Sequence, residues 1–192
     1  MSEKTVGFWS EFDLAPKRAY RFVMDFSTLG KSNARFTVKK VTNPSVTMSE
    51  TPHKFLNHTF YFPGRAEWET IDVTFVDPSK PDQSYQLYRA LKGHGYVEPT
   101  TEEEAMKGLT KLAATTLGLG NVVIRQLGPH HGGAIGENVN TLTELKTISH
   151  WKLTNAFFTK ISWGDFDYDA DGLIELNATI RYDWAEYGLG EP

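Results

Sequence analysis

Between Ile174 and Trp184 the chain alternates without a fault. Ile174, Leu176, Ala178, Ile180, Tyr182 and Trp184 point one way, and Glu175, Asn177, Thr179, Arg181 and Asp183 point the other. A period of two is the signature of a strand with one apolar and one wet face. A helix would scatter the same apolar residues around its axis. Tyr20, Phe22, Met24 and Phe26 alternate with Arg21, Val23 and Asp25 in the same manner. So do Phe36 and Val38 against Arg35, Thr37 and Lys39, and Ile71, Val73 and Phe75 against Thr70, Asp72 and Thr74. Weaker strand signals cover residues 121–127, 143–158 and 160–166. Half-buried strands of this kind predict a mainly β (α+β) fold, an antiparallel sandwich or barrel.

Two helices are predicted within this pattern. The first begins around Ser79 to Asp82, with Pro81 in its first turn, carries a stripe of Tyr85, Tyr88 and Leu91, and closes at Gly93. The second opens on a capping box from Thr101 to Glu104, carries Met106, Leu109 and Leu112, and stops at Gly118. Gly108 in its interior weakens it. Residues 43–64, with three prolines, and residues 128–140, rich in glycine, are predicted as loops. No internal repeat breaks the chain into units, so 1–192 is read as a single domain.

Composition narrows the function classes. With 192 residues, 40% hydrophobic and 23% charged, the chain can bury one substantial core. There is no cysteine, which removes disulfides, zinc–thiolate sites and cysteine nucleophiles. A formal net charge of −4 argues against a protein that grips nucleic acid by its phosphates. The N-terminus lacks a basic-then-apolar leader layout and no apolar run is long enough to span a bilayer, so a protein made in the cytoplasm without membrane insertion is expected.

One stretch suggests a metal. In DFDYDADGLIEL, Asp167, Asp169, Asp171 and Gly172 match positions 1, 3, 5 and 6 of an EF-hand loop, and Glu175 could serve at position 9. Position 12, where a bidentate glutamate belongs, is Ala178, and the segment after it reads as strand instead of helix. Turn chemistry explains the run better, with aspartates bonding local backbone and Gly172 taking a positive φ. No metal site is expected; Asp167, Asp169, Asp171 and Glu175 retain at most a weak cation contact. His130 and His131 sit side by side in a glycine-rich loop without ligand spacing, and the glycines near 118–120 lack the strand and helix of a nucleotide cradle. G-x-S-x-G and G-K-[ST] motifs are missing, so no catalytic residue and no cofactor are expected.

The order YRFVMDF…ARFTVKKVTNP…HTFYFPGRAEWETIDVTFVDP…DQSYQLYRAL, followed by HWKLTNAFFTKISWGDFDYDADGLIELNATIRYDWAEY, resembles the major tail tube proteins of phages with contractile tails. The resemblance runs from about Tyr20 to Tyr187, with Phe157 or Phe158 where a proline is common. It implies a tail-tube β-barrel or sandwich with one short flanking helix, an N-terminal arm over 1–18 and an inter-ring loop over 43–64, while residues 97–119 depart from the family pattern as a helical insertion. It also implies homohexameric rings, formed edge strand to edge strand and stacked into a tube. The partners implied are tail sheath, baseplate and tape measure proteins, and genomic DNA would pass through the lumen without specific binding. Glu175, Asn177, Thr179, Arg181 and Asp183 become candidates for the lumen face, and the virion the expected location. A tube initiator or terminator, or an injection-machine tube protein, of the same fold is the near alternative, and a small calcium-binding β-domain the distant one.

Overall fold

The computed structural model describes residues 17–26, 37–80, 82–128, 147–169 and 171–190. Nine strands and three short α-helices order the described chain. They are β1 Phe22–Phe26, β2 Val38–Val41, β3 Val46–Phe55, β4 His58–Trp68, β5 Ile71–Val76, α1 Gln83–Gly93, α2 Glu102–Ala105, α3 Lys111–Ala113, β6 Gly120–Leu127, β7 Thr147–Ser162, β8 Glu175–Arg181 and β9 Trp184–Leu189. A π-helical stretch, Ala114–Gly118, runs on from α3. Seven strands form one antiparallel system ordered β1-β6-β7-β8-β5-β2, with β9 also on β7, while β3 and β4 pair only with each other.

The frame is the hairpin of β7 with β8 and β9. The sixteen-residue β7 pairs β8 from Phe157↔Arg181 to Ser162↔Asn177, and β9 from Thr154↔Trp184 to Ser149↔Leu189. One half of this hairpin carries β6 and then β1 on the β7 side; the other carries β5 and then β2 on the β8 side. Two sheets thus share one long hairpin. Between them lie Met24, Phe26, Ile71, Val73, Phe75, Leu87, Val122, Leu153, Leu176 and Ile180. Burying each of these side chains contributes about 1.5–3 kcal/mol. Phe26 and Phe75 meet with ring centroids 6.0 Å apart. Trp68 stands between Trp151 and Tyr182, at 6.4 and 6.1 Å.

The alternation predicted from Ile174 holds only as far as Tyr182. Leu176, Ala178, Ile180 and Tyr182 are buried, but Trp184 is exposed and Ala185 packs toward the core instead. On β7 the inward residues likewise change parity, from Ser149 and Leu153 to Ala156. The change falls at Asn155, whose φ is +56°. Both strands skip one residue at the same point, so their register survives while their inward face swaps.

Several expectations are corrected. Residues 43–64 are not a loop but most of a β-hairpin, β3 with β4, turning at Leu56 and Asn57. The prolines misled because each strand of a two-stranded ribbon has an outer edge, where a missing N–H removes no ladder bond. Residues 160–166 do not form a strand of their own: Lys160 to Ser162 close β7 and the rest is loop. In α1 the core-facing line is Gln83, Leu87 and Ala90, continued by His94, not the stripe of Tyr85, Tyr88 and Leu91. Its N-cap is Asp82, which accepts the Tyr85 N–H at 2.8 Å, and not Ser79. The expected second helix is broken. Its capping box forms as read, but α2 ends at Ala105 and Thr110 recaps α3, accepting the Ala113 N–H at 3.2 Å. Met106, Leu109 and Leu112 are 83, 66 and 74% exposed, so they do not form a core-facing stripe. Phe36, Pro81, His130, His131 and most of the predicted N-terminal arm and 128–140 loop lie outside the described residues.

His94 fastens this region to the sheet. Its Nε2 accepts the Phe158 N–H at 3.1 Å, so its Nδ1 carries the proton and donates to the Ala90 carbonyl at 2.6 Å. Gly118 lies flat against the ring, where an added Cβ would come within 2.7 Å of Cε1.

Candidate assembly interface

The alternation of β8 places Glu175, Asn177, Thr179 and Arg181 on one polar face, joined by groups from β5 and β2. Thr74 Oγ1 donates to Asn177 Oδ1 at 2.9 Å, and Thr179 Oγ1 donates to Asp72 Oδ1 at 2.7 Å. Lys39 pairs with Glu175. Asp183 is set apart from this row. Its carboxylate receives Lys111 Nζ at 2.7 Å and Asn155 Nδ2 at 2.8 Å. The Lys111 ammonium first, and then the Asn155 amide, hold the Asp183 carboxyl below its ordinary range. The predicted lumen row therefore splits into four residues on the sheet and one at the corner.

The aspartate run makes a contact of its own. Asp167 accepts the Asp169 N–H at 3.0 Å, a local Asx turn, while Glu175 is turned to Lys39. Among the described residues no group of three or more His, Asp or Glu side chains is arranged to hold a metal. Nor is the connection a tight turn, since residues 163–174 separate β7 from β8. The glycine that needs its lack of a side chain is Gly164, not Gly172. Its φ is +75° and an added Cβ would lie 2.6 Å from the Glu175 carbonyl oxygen, whereas a Cβ on Gly172 would meet nothing within 4 Å.

Among the described strands, the β3–β4 hairpin is the most exposed. All ten residues of β3 and nine of the eleven in β4 are exposed. They include Val46, Met48, Phe55, Phe60, Tyr61 and Phe62, with Leu56 at the tip. A two-stranded ribbon without a packed face is marginal in water. Its root is pinned, because Ser45 and Thr47 hydroxyls donate to Glu69 at 2.8 and 2.6 Å. Those two bonds, Thr47's the larger, hold the Glu69 carboxyl below its ordinary range.

Two further surfaces escaped sequence reading. The 163–174 loop exposes Phe166 and Tyr168 almost completely. A groove of about 600 Å³ lies along β2, β6 and the approach to β1, lined by Lys17, Lys39, Lys40 and Arg125 together with Tyr20 and Tyr187. Its cations come from separate elements. Only the doublets Lys17-Arg18 and Lys39-Lys40 hinted at it in the sequence.

No family model and no curated protein sequence matches this chain. Solved structures do share its fold. A chain from the PVC sheath/tube terminator of an extracellular contractile injection system, in the extended state, superposes with a TM-score of 0.58 at 12% identity, covering 91% of this chain and 97% of that one. A chain from the sheath–tube complex of the PVC system gives 0.55 at 14% identity, covering 98% and 99%. A chain from the anti-feeding prophage cap, a tube-terminating cap, gives 0.57 at 13%, covering 91% and 92%. The mainly antiparallel β architecture read from the sequence is thus the tail-tube type.

Proposed function

We propose that this chain is a non-enzymatic tube subunit of a contractile machine, a phage tail or a particle derived from one. Copies join through their sheet edges into rings, six by the resemblance of the sequence to tail tube proteins, and rings stack into a tube. The observation that carries this reading is the β3–β4 hairpin. It consists of a ten-residue and an eleven-residue strand that, among the described residues, pair only with each other and expose apolar side chains along both. Such a surface is a liability in a lone molecule and an asset once a neighbouring copy covers it. The edge strands β1 and β2 also lack an outer partner among the described residues.

In this reading Glu175, Asn177, Thr179 and Arg181 face the lumen. The hydrogen bonds of Thr74 to Asn177 and of Thr179 to Asp72 satisfy polar groups of that face, and the ion pair of Lys39 with Glu175 offsets a carboxylate there. DNA can slide along such a wall without a row of cations to hold its phosphates. Sheath, baseplate and tape measure proteins are the expected partners, and the virion or a virion-like particle the place of work. No helix among the described residues is long and apolar enough to cross a membrane.

A tube-terminating role is the second reading, favoured by the similarity to a terminator structure and a terminating cap. Negative-stain imaging of the purified protein tests both. Long hollow rods support a main tube subunit, and single rings that do not stack support an end piece. A protein that stays monomeric at high concentration refutes the tube reading altogether.

A further inference from the structure

We propose that the acidic, aromatic loop over residues 163–174 of one copy docks into the basic groove along β2 and β6 of a second copy. This inference rests on the tube reading and names one of its contacts. The loop carries Asp165, Asp167, Asp169 and Asp171 and no lysine or arginine. None of these four aspartates makes an ion pair among the described residues. Phe166, Tyr168 and Leu173 are exposed between them. Carboxylates at every second position of one loop repel their neighbours, and exposed rings beside them gain nothing in water. Both costs vanish if a cationic, aromatic surface covers the loop.

The groove has that chemistry. Its lining offers Lys17, Lys39, Lys40 and Arg125 and contains no carboxylate. Arg125 and Lys39 are partly neutralised from outside it by Asp25 and Glu175, but Lys40 has no ion pair among the described residues. Tyr20 and Tyr187 belong to its lining and are both exposed. At about 600 Å³ it can seat aromatic side chains. Loop and groove are different patches of one chain. In the tube reading a contact between them is head-to-tail, which closes into a ring or runs on as a filament. Complementary charge would also set the orientation in which copies meet.

The test uses the full chain and two charge reversals, Asp167→Lys with Asp169→Lys, and Lys40→Glu. Sedimentation velocity is run over a concentration series at low and high salt, with negative-stain images of each sample. Each variant alone is expected to associate at least about tenfold more weakly, as like charges across a contact demand. An equal mixture is expected to recover, because reversed loops then meet reversed grooves and native loops meet native grooves. Unchanged melting curves establish that each variant is folded. If both variants form rings as the native protein does, the docking is wrong and the tube reading stands. If the native protein never assembles, both are wrong. Concentration-independent burial of the loop within one chain overturns the docking. So does binding of a DNA duplex that Lys40→Glu abolishes while assembly is intact, which would give the groove to nucleic acid.

Discussion

Asn155 Nδ2 donates to Asp183 Oδ2 across 2.8 Å, joining the two residues at which β7 and its partner strand change their inward face together. Lys111, from the segment between α1 and β6, binds the same carboxylate. The corner of the β-system is thus tied by one amide and one ammonium. Asn is suited to this place because it tolerates a positive φ better than other side-chain-bearing residues and still presents a donor.

Substituting Asp183→Asn should destabilise the folded chain at neutral pH by about 1–2 kcal/mol, since a charge-assisted bond is lost. The carboxyl is held below its ordinary range, so its contribution is complete above the unfolded value and is lost as pH falls through the lower, folded one. The stability gap between native protein and variant, measured by urea unfolding, should therefore narrow on acidification. A gap that widens toward acid contradicts this account.

His94→Leu should cost about 2–4 kcal/mol, because the Phe158 N–H and the Ala90 carbonyl both lose a buried partner. Gly118→Ala should cost about 1–3 kcal/mol by driving a methyl group into the imidazole. The two losses should not add in the double variant, since both act on one contact. Thermal melting of the four proteins reads this directly.

Gly164→Ala should destabilise by roughly 1–3 kcal/mol, through its positive φ and the approach of the Glu175 carbonyl. Gly172→Ala should be neutral within about 0.5 kcal/mol, since nothing stands near the added methyl. A reversed order would restore the turn expected from the sequence, with its hinge at Gly172.

Calcium should not stabilise the chain. Melting in excess calcium and in chelator should differ by less than about 1 °C, whereas a site that binds only the folded state would raise the midpoint with the logarithm of the calcium concentration above its Kd. A shift of several degrees would reinstate the EF-hand-like reading of Asp167, Asp169 and Asp171.

Replacing Phe60 and Phe62 with serine should change the melting temperature of the dissociated chain little, since both side chains are about half exposed and lie outside the core. Rods or rings should be lost or greatly weakened, because the hairpin would no longer offer an apolar face to a neighbour. Intact assembly by this variant, seen in negative stain, would remove the hairpin from the interface.

Much of this was legible along the chain. Ile71, Val73 and Phe75 are buried as their alternation predicts, and so are Leu176, Ala178, Ile180 and Tyr182. The Thr101–Glu104 capping box forms where its spacing places it. These features depend on neighbours two to four residues away, which a local pattern contains. The rest required distant partners. Gln83, Leu87 and Ala90 face the core instead of Tyr85, Tyr88 and Leu91 because the sheet meets α1 on that side. Residues 43–64 pair as strands since their partners lie within the same ribbon, where prolines are harmless. The alternation that reads unbroken to Trp184 ends at Asp183, because β7 carries an answering break at Asn155 that local periodicity cannot reveal. The sequence by itself determined β5 and β8 and which side of each is dry. Only the tertiary structure decided where the sheet turns, because a corner is set jointly by two strands and holds only where both can bend.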